Sequence, residues 1–121
     1  MSGWVWAGVA ALGGAGACSR FLLDSLIAGR FGRDFPLGTL TVNASGALLL
    51  GLLTGLALEG NLLVLAGTAT LGSYTTFSTW MLETHRLAED AEVPSAFINI
   101  VLSLAIGIGA AALGRTIGAH T

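Results

Sequence analysis

Four long apolar stretches alternate with short polar connections along the chain. A helix that crosses the hydrocarbon core of a bilayer needs about 20 residues, and each of these stretches is long enough. We therefore predict an all-α membrane protein, a single domain over residues 1–121, with transmembrane helices at about 4–27, 37–58, 62–83 and 95–113. The hydrophilic residues 84–94 would link the last two spans, and residues 114–121 would form a frayed tail.

The third span differs from the others because small and polar residues interrupt it, in the run TATLGSYTTFSTWMLE over residues 68–83. Glycine costs a helix about 1 kcal/mol and threonine somewhat less, so we predict a broken helix near Gly72–Thr76. Backbone groups freed within hydrocarbon must be satisfied by protein, ion or trapped water. Broken helices at the bilayer midplane are typical places for ion sites. Phe77 and Trp80 follow at i,i+3 spacing and share a face, so we interpret this segment as an ion site.

The second and fourth spans carry ordered polar residues. Thr39 and Asn43 lie four residues apart, and Gly46 continues the same face, while Asn99 and Ser103 form a second stripe. An asparagine inside a span is costly unless it finds a partner. Two interpretations of Asn43 stay open: an interhelical hydrogen bond that holds the bundle together, or a pore-lining amide that donates an N–H to an anion.

The first span ends with Arg20 and Asp24 at i,i+4 spacing. They could form an interfacial ion pair, or Arg20 could lie in a water-filled vestibule where its charge attracts anions. The glycine-rich run at 13–20 resembles a dinucleotide-binding fingerprint, but Ser19 occupies the position that requires Gly or Ala. We interpret its small residues, and the Gly51–Gly55 pair, as helix–helix contacts. We expect Cys18 to be a buried thiol.

Composition supports the membrane class. The chain is 54% hydrophobic and 10% charged, whereas soluble domains carry about 25% charge. It has no lysine and a net charge of −2, which argues against a nucleic-acid partner. It shows no catalytic or metal-ligand constellation, so we predict that it is not an enzyme. Four short spans enclose little interior, so a pathway would form most easily between subunits. The arginine count on the two sides gives only a weak orientation bias.

The types of polar side chain in the spans indicate whether the ion is an anion or a cation. A proton-coupled cation exporter would need a carboxylate in the middle of the membrane, and the only carboxylate of the third span, Glu83, lies near a membrane face. Amide and hydroxyl donors with positively polarised ring edges suit a small, hard anion. The alternatives are a small dual-topology multidrug or cation exporter, and a non-transporting assembly subunit in which Asn43, Phe77 and Trp80 merely pack.

The stretches PLGTLTVNASG (36–46), GSYTTFSTWMLE (72–83) and GGAGACSRF (13–21) resemble the Fluc (CrcB) family of fluoride channels. The resemblance covers essentially the whole chain. It implies passive fluoride export that protects the cell from fluoride toxicity. It also implies an antiparallel, dual-topology dimer in the bacterial inner membrane, with two pores along the subunit interface around a central structural Na⁺. The dimer could be a homodimer or a heterodimer with a paralogous subunit.

The resemblance also implies roles for residues at matching motif positions. Phe77 and Trp80 would form an aromatic box around fluoride, and the backbone carbonyls of Gly72 and Thr75 would hold the Na⁺. Trp80 departs from the family, which commonly has Phe there; it is bulkier and adds an indole N–H donor. Glu83, with hydroxyls such as that of Ser103, would form a polar track leading out of the pore. The full set of ion-conduction candidates comprises these residues and the polar and aromatic residues of the motifs: Arg20, Thr39, Asn43, Phe77, Ser78, Thr79, Trp80, Glu83 and Ser103.

Overall fold

The computed structural model describes all 121 residues, and it is helical with no strands. Helices α1, α2 and α6 are long and apolar enough to cross a membrane. The region between α2 and α6 is divided into shorter segments. In chain order the elements are α1 (Gly3–Phe31), α2 (Leu37–Gly55), α3 (Gly60–Leu63), a π-helix (Val64–Leu71), α4 (Gly72–Tyr74), α5 (Ser78–Glu89) and α6 (Val93–Ala119).

The two largest differences from the predicted boundaries are at the ends of α5 and α6. Helix α5 continues through Glu89, so much of the predicted linker is helical. Helix α6 continues through Ala119, so the prediction of a frayed tail from Gly114 is wrong. The physical reason lies in packing, because Gly114 and Gly118 are buried where the last turns of α6 contact α2.

Helices α2 and α6 pack through glycines. A Cβ at Gly51 would clash with the carbonyl of Ala111, and one at Gly114 would clash with the carbonyl of Leu48. Gly55 is in equally close contact with the backbone of α6. Lipid tails are as apolar as the helices, so the hydrophobic effect does not drive helices together within a membrane. Close backbone approach supplies the van der Waals contacts that hold them together instead. The predicted helix–helix contact of Gly51 and Gly55 is confirmed, and it lies within the chain.

Helix α1 packs against the π-helix and α4. The closest approach is at Gly16, where a Cβ would clash with the Thr70 carbonyl and the Ser73 hydroxyl. Cys18 is exposed, so its predicted burial is wrong for the single chain. Few side chains are fully enclosed; the largest are Val5, Val42 and Asn99. The chain therefore has little interior of its own, and its functional candidates lie in surface grooves.

Candidate functional site

The site is built around the non-helical residues between α4 and α5. Thr75 is extended, with φ −81° and ψ 159°, which leaves the backbone of Thr76 without helical partners. The side chain of Asn43 on α2 replaces them. Its Nδ2 donates to the Thr76 carbonyl at 2.8 Å, and its Oδ1 accepts from the Thr76 N–H at 2.8 Å. Asn43 therefore makes an interhelical hydrogen-bond pair that satisfies both backbone groups of Thr76, as backbone at membrane depth requires.

The Thr76 side chain then starts α5. Its Oγ1 accepts a hydrogen bond from the Thr79 N–H at 3.2 Å and donates to the Thr79 hydroxyl at 3.2 Å, which is the geometry of a helix N-terminal cap. The Ser78 hydroxyl lies 3.4 Å from the same atom. The Phe77 N–H, immediately before the helix, has no hydrogen-bond partner in the chain. The positive end of the α5 dipole and an open N–H donor thus lie together at this point.

A groove of about 620 Å³ opens beside these residues. Phe77 is 70% exposed, and its ring meets that of Trp80 edge-to-face, with centroids 5.8 Å apart and planes at 84°. No carboxylate lines the groove. The structure thereby brings together five of the predicted residues: Asn43, Gly72, Thr75, Phe77 and Trp80.

Two backbone oxygens on this groove are open. The carbonyls of Gly72 and Thr75 accept no hydrogen bond from any other residue of the chain, because the Thr76 N–H that would pair with Gly72 is bound to Asn43. Rings of backbone carbonyls coordinate hard monovalent cations in membrane proteins. No cluster of His, Cys, Asp or Glu could hold a metal ion. The chemistry of these two carbonyls therefore fits the predicted Na⁺ ligands.

A second pocket, of about 190 Å³, contains Arg20, Thr39 and Thr79. Asp24 also lines it, but its carboxylate pairs with Arg33 at 3.4 Å and not with Arg20. Of the two interpretations of Arg20, the interfacial ion pair with Asp24 is therefore wrong, because Arg33 from the following loop reaches the carboxylate instead. Arg20 has no acidic partner, which leaves its charge available to the pocket.

Glu83 and Ser103 lie away from the groove. Glu83 lines a third, charged pocket of about 140 Å³ with Arg33 and Arg86, and its Oε1 is buried with no hydrogen-bond partner. The Ser103 hydroxyl donates to Asn99 Oδ1 at 3.5 Å and makes no hydrogen bond with Glu83. The structure thus does not bring these two candidates into contact.

Sequence reasoning missed one hydrogen-bonded cluster. The indole Nε1 of Trp80 donates to the carbonyl of Asn99 at 3.3 Å, so the additional N–H donor expected from Trp80 is occupied. Thr84, which we placed in a linker, donates to the Trp80 carbonyl at 2.8 Å and accepts from Asn99 Nδ2 at 2.8 Å. The sequence signals for this cluster were the i,i+4 spacing of Trp80 and Thr84 and the need of Asn99, inside a span, for a hydrogen-bond partner.

The all-helical fold, with three apolar helices and a polar interruption between them, defines a small multi-pass membrane protein. A sequence profile of the family described as CrcB-like protein, Camphor Resistance (CrcB), matches residues 7–115. The chain belongs to this family, and the predicted resemblance is confirmed.

Bacterial relatives are similar over nearly the full length. A protein of Mycobacterium tuberculosis named fluoride-specific ion channel FluC 2 is 56% identical over 113 residues, covering 93% of this chain and 90% of the relative. FluC 1 of Symbiobacterium thermophilum is 46% identical over 121 residues, with 95% and 96% covered. FluC of Photobacterium profundum is 42% identical over 120 residues, with 94% of each covered. All three are named as ion channels, which agrees with the prediction of a bacterial membrane protein that is not an enzyme.

Proposed function

We propose that the chain is a subunit of a fluoride-selective ion channel in the bacterial plasma membrane. The observation that carries this proposal is the 56% identity, over 93% of the chain, to relatives named as fluoride-specific channels. The groove supports it independently, because it offers amide, hydroxyl and ring-edge groups without a carboxylate. A cation exporter would need a negative charge at this depth, so the site favours an anion.

The proposed path for fluoride follows the groove past the rings of Phe77 and Trp80, whose edges carry partial positive charge. An amide nitrogen has two N–H groups; Asn43 gives one to Thr76, and the other can meet the ion. The hydroxyls of Ser78 and Thr79 follow in the first turn of α5. A narrow path lined by fixed donors, with little water, would favour fluoride over the larger chloride.

Further donors extend this proposed path beyond the groove. Arg20, Thr39 and Thr79 share the second pocket, and Arg20 would attract the anion into it. Thr39 also lies beside the carboxyl group of Glu83. We assign Glu83 and Ser103 to the outer part of a polar track.

The channel is proposed to be an antiparallel, dual-topology dimer. An exposed Phe77 ring and an open groove leave each subunit with only part of an enclosed path, so a second subunit must close it. The weak arginine bias is compatible with insertion in both orientations. The partner is either a second copy of this chain or a paralogue.

Transport is proposed to be passive export. Fluoride enters cells as its undissociated acid, which crosses membranes, and it dissociates near neutral pH. The trapped ion would then leave through the channel down its electrochemical gradient, and this protects the cell from fluoride toxicity. Such a channel needs no group that couples transport to protons, in keeping with the carboxylate-free groove.

Liposomes that contain only this protein should release fluoride rapidly and retain chloride. The measurement is fluoride efflux against an external fluoride electrode, with chloride efflux from matched liposomes as the selectivity control. Rapid release would also show that one gene product suffices. If folded protein is silent both alone and with a co-purified paralogue, the proposed function is contradicted; activity that appears only with the paralogue would indicate a heterodimer.

A central Na⁺ is the second element of the proposal, held by the open carbonyls of Gly72 and Thr75 from both subunits. When bound, the ion would supply a fixed positive charge that binds the two subunits together at their interrupted helices. These carbonyls would otherwise face each other unpaired, and an unsatisfied buried polar group costs about 1–3 kcal/mol.

Removal of Na⁺ should therefore destabilise the dimer. We expect protein purified with N-methylglucamine in place of Na⁺ to lose its dimeric elution peak at a lower temperature, and to recover when Na⁺ is restored. Choline in place of N-methylglucamine controls for a specific effect of the substitute cation. Identical thermal profiles with and without Na⁺ would count against the site.

A further inference from the structure

Trp80 is held from two directions by neighbouring groups. Its indole N–H donates to the Asn99 carbonyl on α6 at 3.3 Å. Its backbone carbonyl accepts from Thr84 one turn later at 2.8 Å, and Thr84 in turn accepts from the Asn99 side chain at 2.8 Å. Both ends of Trp80 are thus linked to the same residue of α6.

The linking side chains are enclosed. Asn99 is 1% exposed and Thr84 is 9% exposed, so water cannot replace the hydrogen bonds between them. An unpaired polar group at such a position would be costly, and the cluster therefore has one favoured arrangement. The Ser103 hydroxyl, at 3.5 Å from Asn99 Oδ1, further restricts the orientation of the Asn99 amide.

This linkage lies where the backbone has least support of its own. Trp80 is in the first turn of α5, directly after the non-helical residues 75–77, and first-turn N–H groups have no intrahelical partners. The direction of the Trp80 ring, and with it the edge-to-face contact with Phe77, depends on contacts to α6 as well as on the helix itself.

We propose that Thr84 and Asn99 are positioning residues that hold the Trp80 ring against the groove, with its N–H turned away and its C–H edge toward the groove. The inference rests on the proposed channel function, because Trp80 would line the channel. Its orientation there would be set by hydrogen bonds that lie outside the groove. Neither Thr84 nor Asn99 lines the groove. Their effect on the ion is exerted through Trp80.

The test compares Thr84→Val with Thr84→Ser in the full chain. Valine has nearly the shape of threonine but no hydroxyl, whereas serine keeps the hydroxyl and loses a methyl group. Both variants are made with Trp4→Phe and Trp6→Phe, because these two tryptophans are 64% and 60% exposed and their removal leaves Trp80 as the only fluorescent indole. Fluoride efflux from liposomes and the fluorescence anisotropy of Trp80 are then measured on the same preparations.

We expect Thr84→Val to lower fluoride efflux by about fivefold to tenfold, the effect of losing one hydrogen bond, and to lower the anisotropy of Trp80. Thr84→Ser should keep both the efflux and the anisotropy of the parent. Wild-type efflux and anisotropy in Thr84→Val would overturn the proposal, as would lost efflux with unchanged anisotropy, which would indicate a general packing defect. If Thr84→Val does not assemble, Thr84→Ala removes the same hydroxyl without placing a methyl group against the polar groups of Asn99 and Trp80.

The two proposals fail in different ways. If the Trp4→Phe, Trp6→Phe parent and the unmodified protein are both silent in liposomes, alone and with a co-purified paralogue, the channel function fails. The anisotropy of Trp80 still decides whether Thr84 positions the ring. If the parent conducts and anisotropy does not respond to the Thr84 hydroxyl, the channel function stands and the positioning role is wrong.

Discussion

Replacing Asn43 by Asp should abolish fluoride efflux and destabilise the folded chain. One carboxylate oxygen could still accept from the Thr76 N–H, but the other would face the Thr76 carbonyl, where Nδ2 now donates at 2.8 Å. Two acceptors would then oppose each other in a half-buried position. A charged side chain near the centre of a membrane helix costs about 2.5–3.5 kcal/mol on insertion scales, and it would repel the anion. The measurements are liposome efflux and the temperature at which the dimeric elution peak is lost.

One further variant separates the effect of the charge from that of the lost hydrogen bonds. Asn43→Leu removes both bonds to Thr76 and adds no charge, so it should destabilise the interruption by about 1–3 kcal/mol and impair flux less completely than Asn43→Asp. Thr41→Val is the matched control on α2, because the Thr41 hydroxyl bonds only to the Leu37 carbonyl of its own helix. Normal flux in Asn43→Asp would contradict the pore role of the residue.

Periodicity and composition were sufficient to predict an all-helical membrane protein, because apolar runs of about 20 residues usually form transmembrane helices. They could not locate the ends of α5 and α6. The residues after Gly114 look like a tail in the sequence, yet glycine contacts with α2 keep them helical. Contacts between distant parts of a chain override the local preferences of its ends.

The candidate site was predicted best where one short motif carries several groups. Phe77 and Trp80 line one groove as their spacing indicated. The partner of Asn43 could not be predicted, because 33 positions separate it from Thr76, and neither could the pairing of Asp24 with Arg33 across a loop. Sequence spacing identifies neighbours along one helix, whereas these contacts depend on how helices pack.

The bidentate contact of Asn43 also changes what its mutation means. In the sequence, a pore amide and a bundle-holding amide are competing interpretations. In the structure one amide can serve both purposes, because one N–H and the oxygen hold Thr76 while the second N–H is not used by the chain. The interruption and the proposed ion contact therefore depend on each other, and no substitution at Asn43 alone can separate them.

Gly114→Ala and Gly109→Ala on helix α6 should have opposite effects on stability. Alanine is more favourable in a helix than glycine by about 1 kcal/mol. If only helix propensity mattered, both substitutions would therefore stabilise the protein. A Cβ at Gly109 would meet no atom of the chain, and Gly109→Ala should be neutral or stabilising. A Cβ at Gly114 would clash with the backbone carbonyl of Leu48, which cannot rotate away as a side chain could.

We therefore expect Gly114→Ala to destabilise the protein by about 1–3 kcal/mol, the usual cost of overfilling a packed contact. Helices α2 and α6 would be forced apart, and Asn43 on α2 and Asn99 on α6 would shift relative to Thr76 and Trp80. Thermal loss of the folded elution peak measures stability, and liposome efflux measures function. Equal destabilisation by Gly109→Ala would mean that the open face of α6 is packed against a second subunit, while a stable Gly114→Ala would contradict the glycine-mediated contact between α2 and α6.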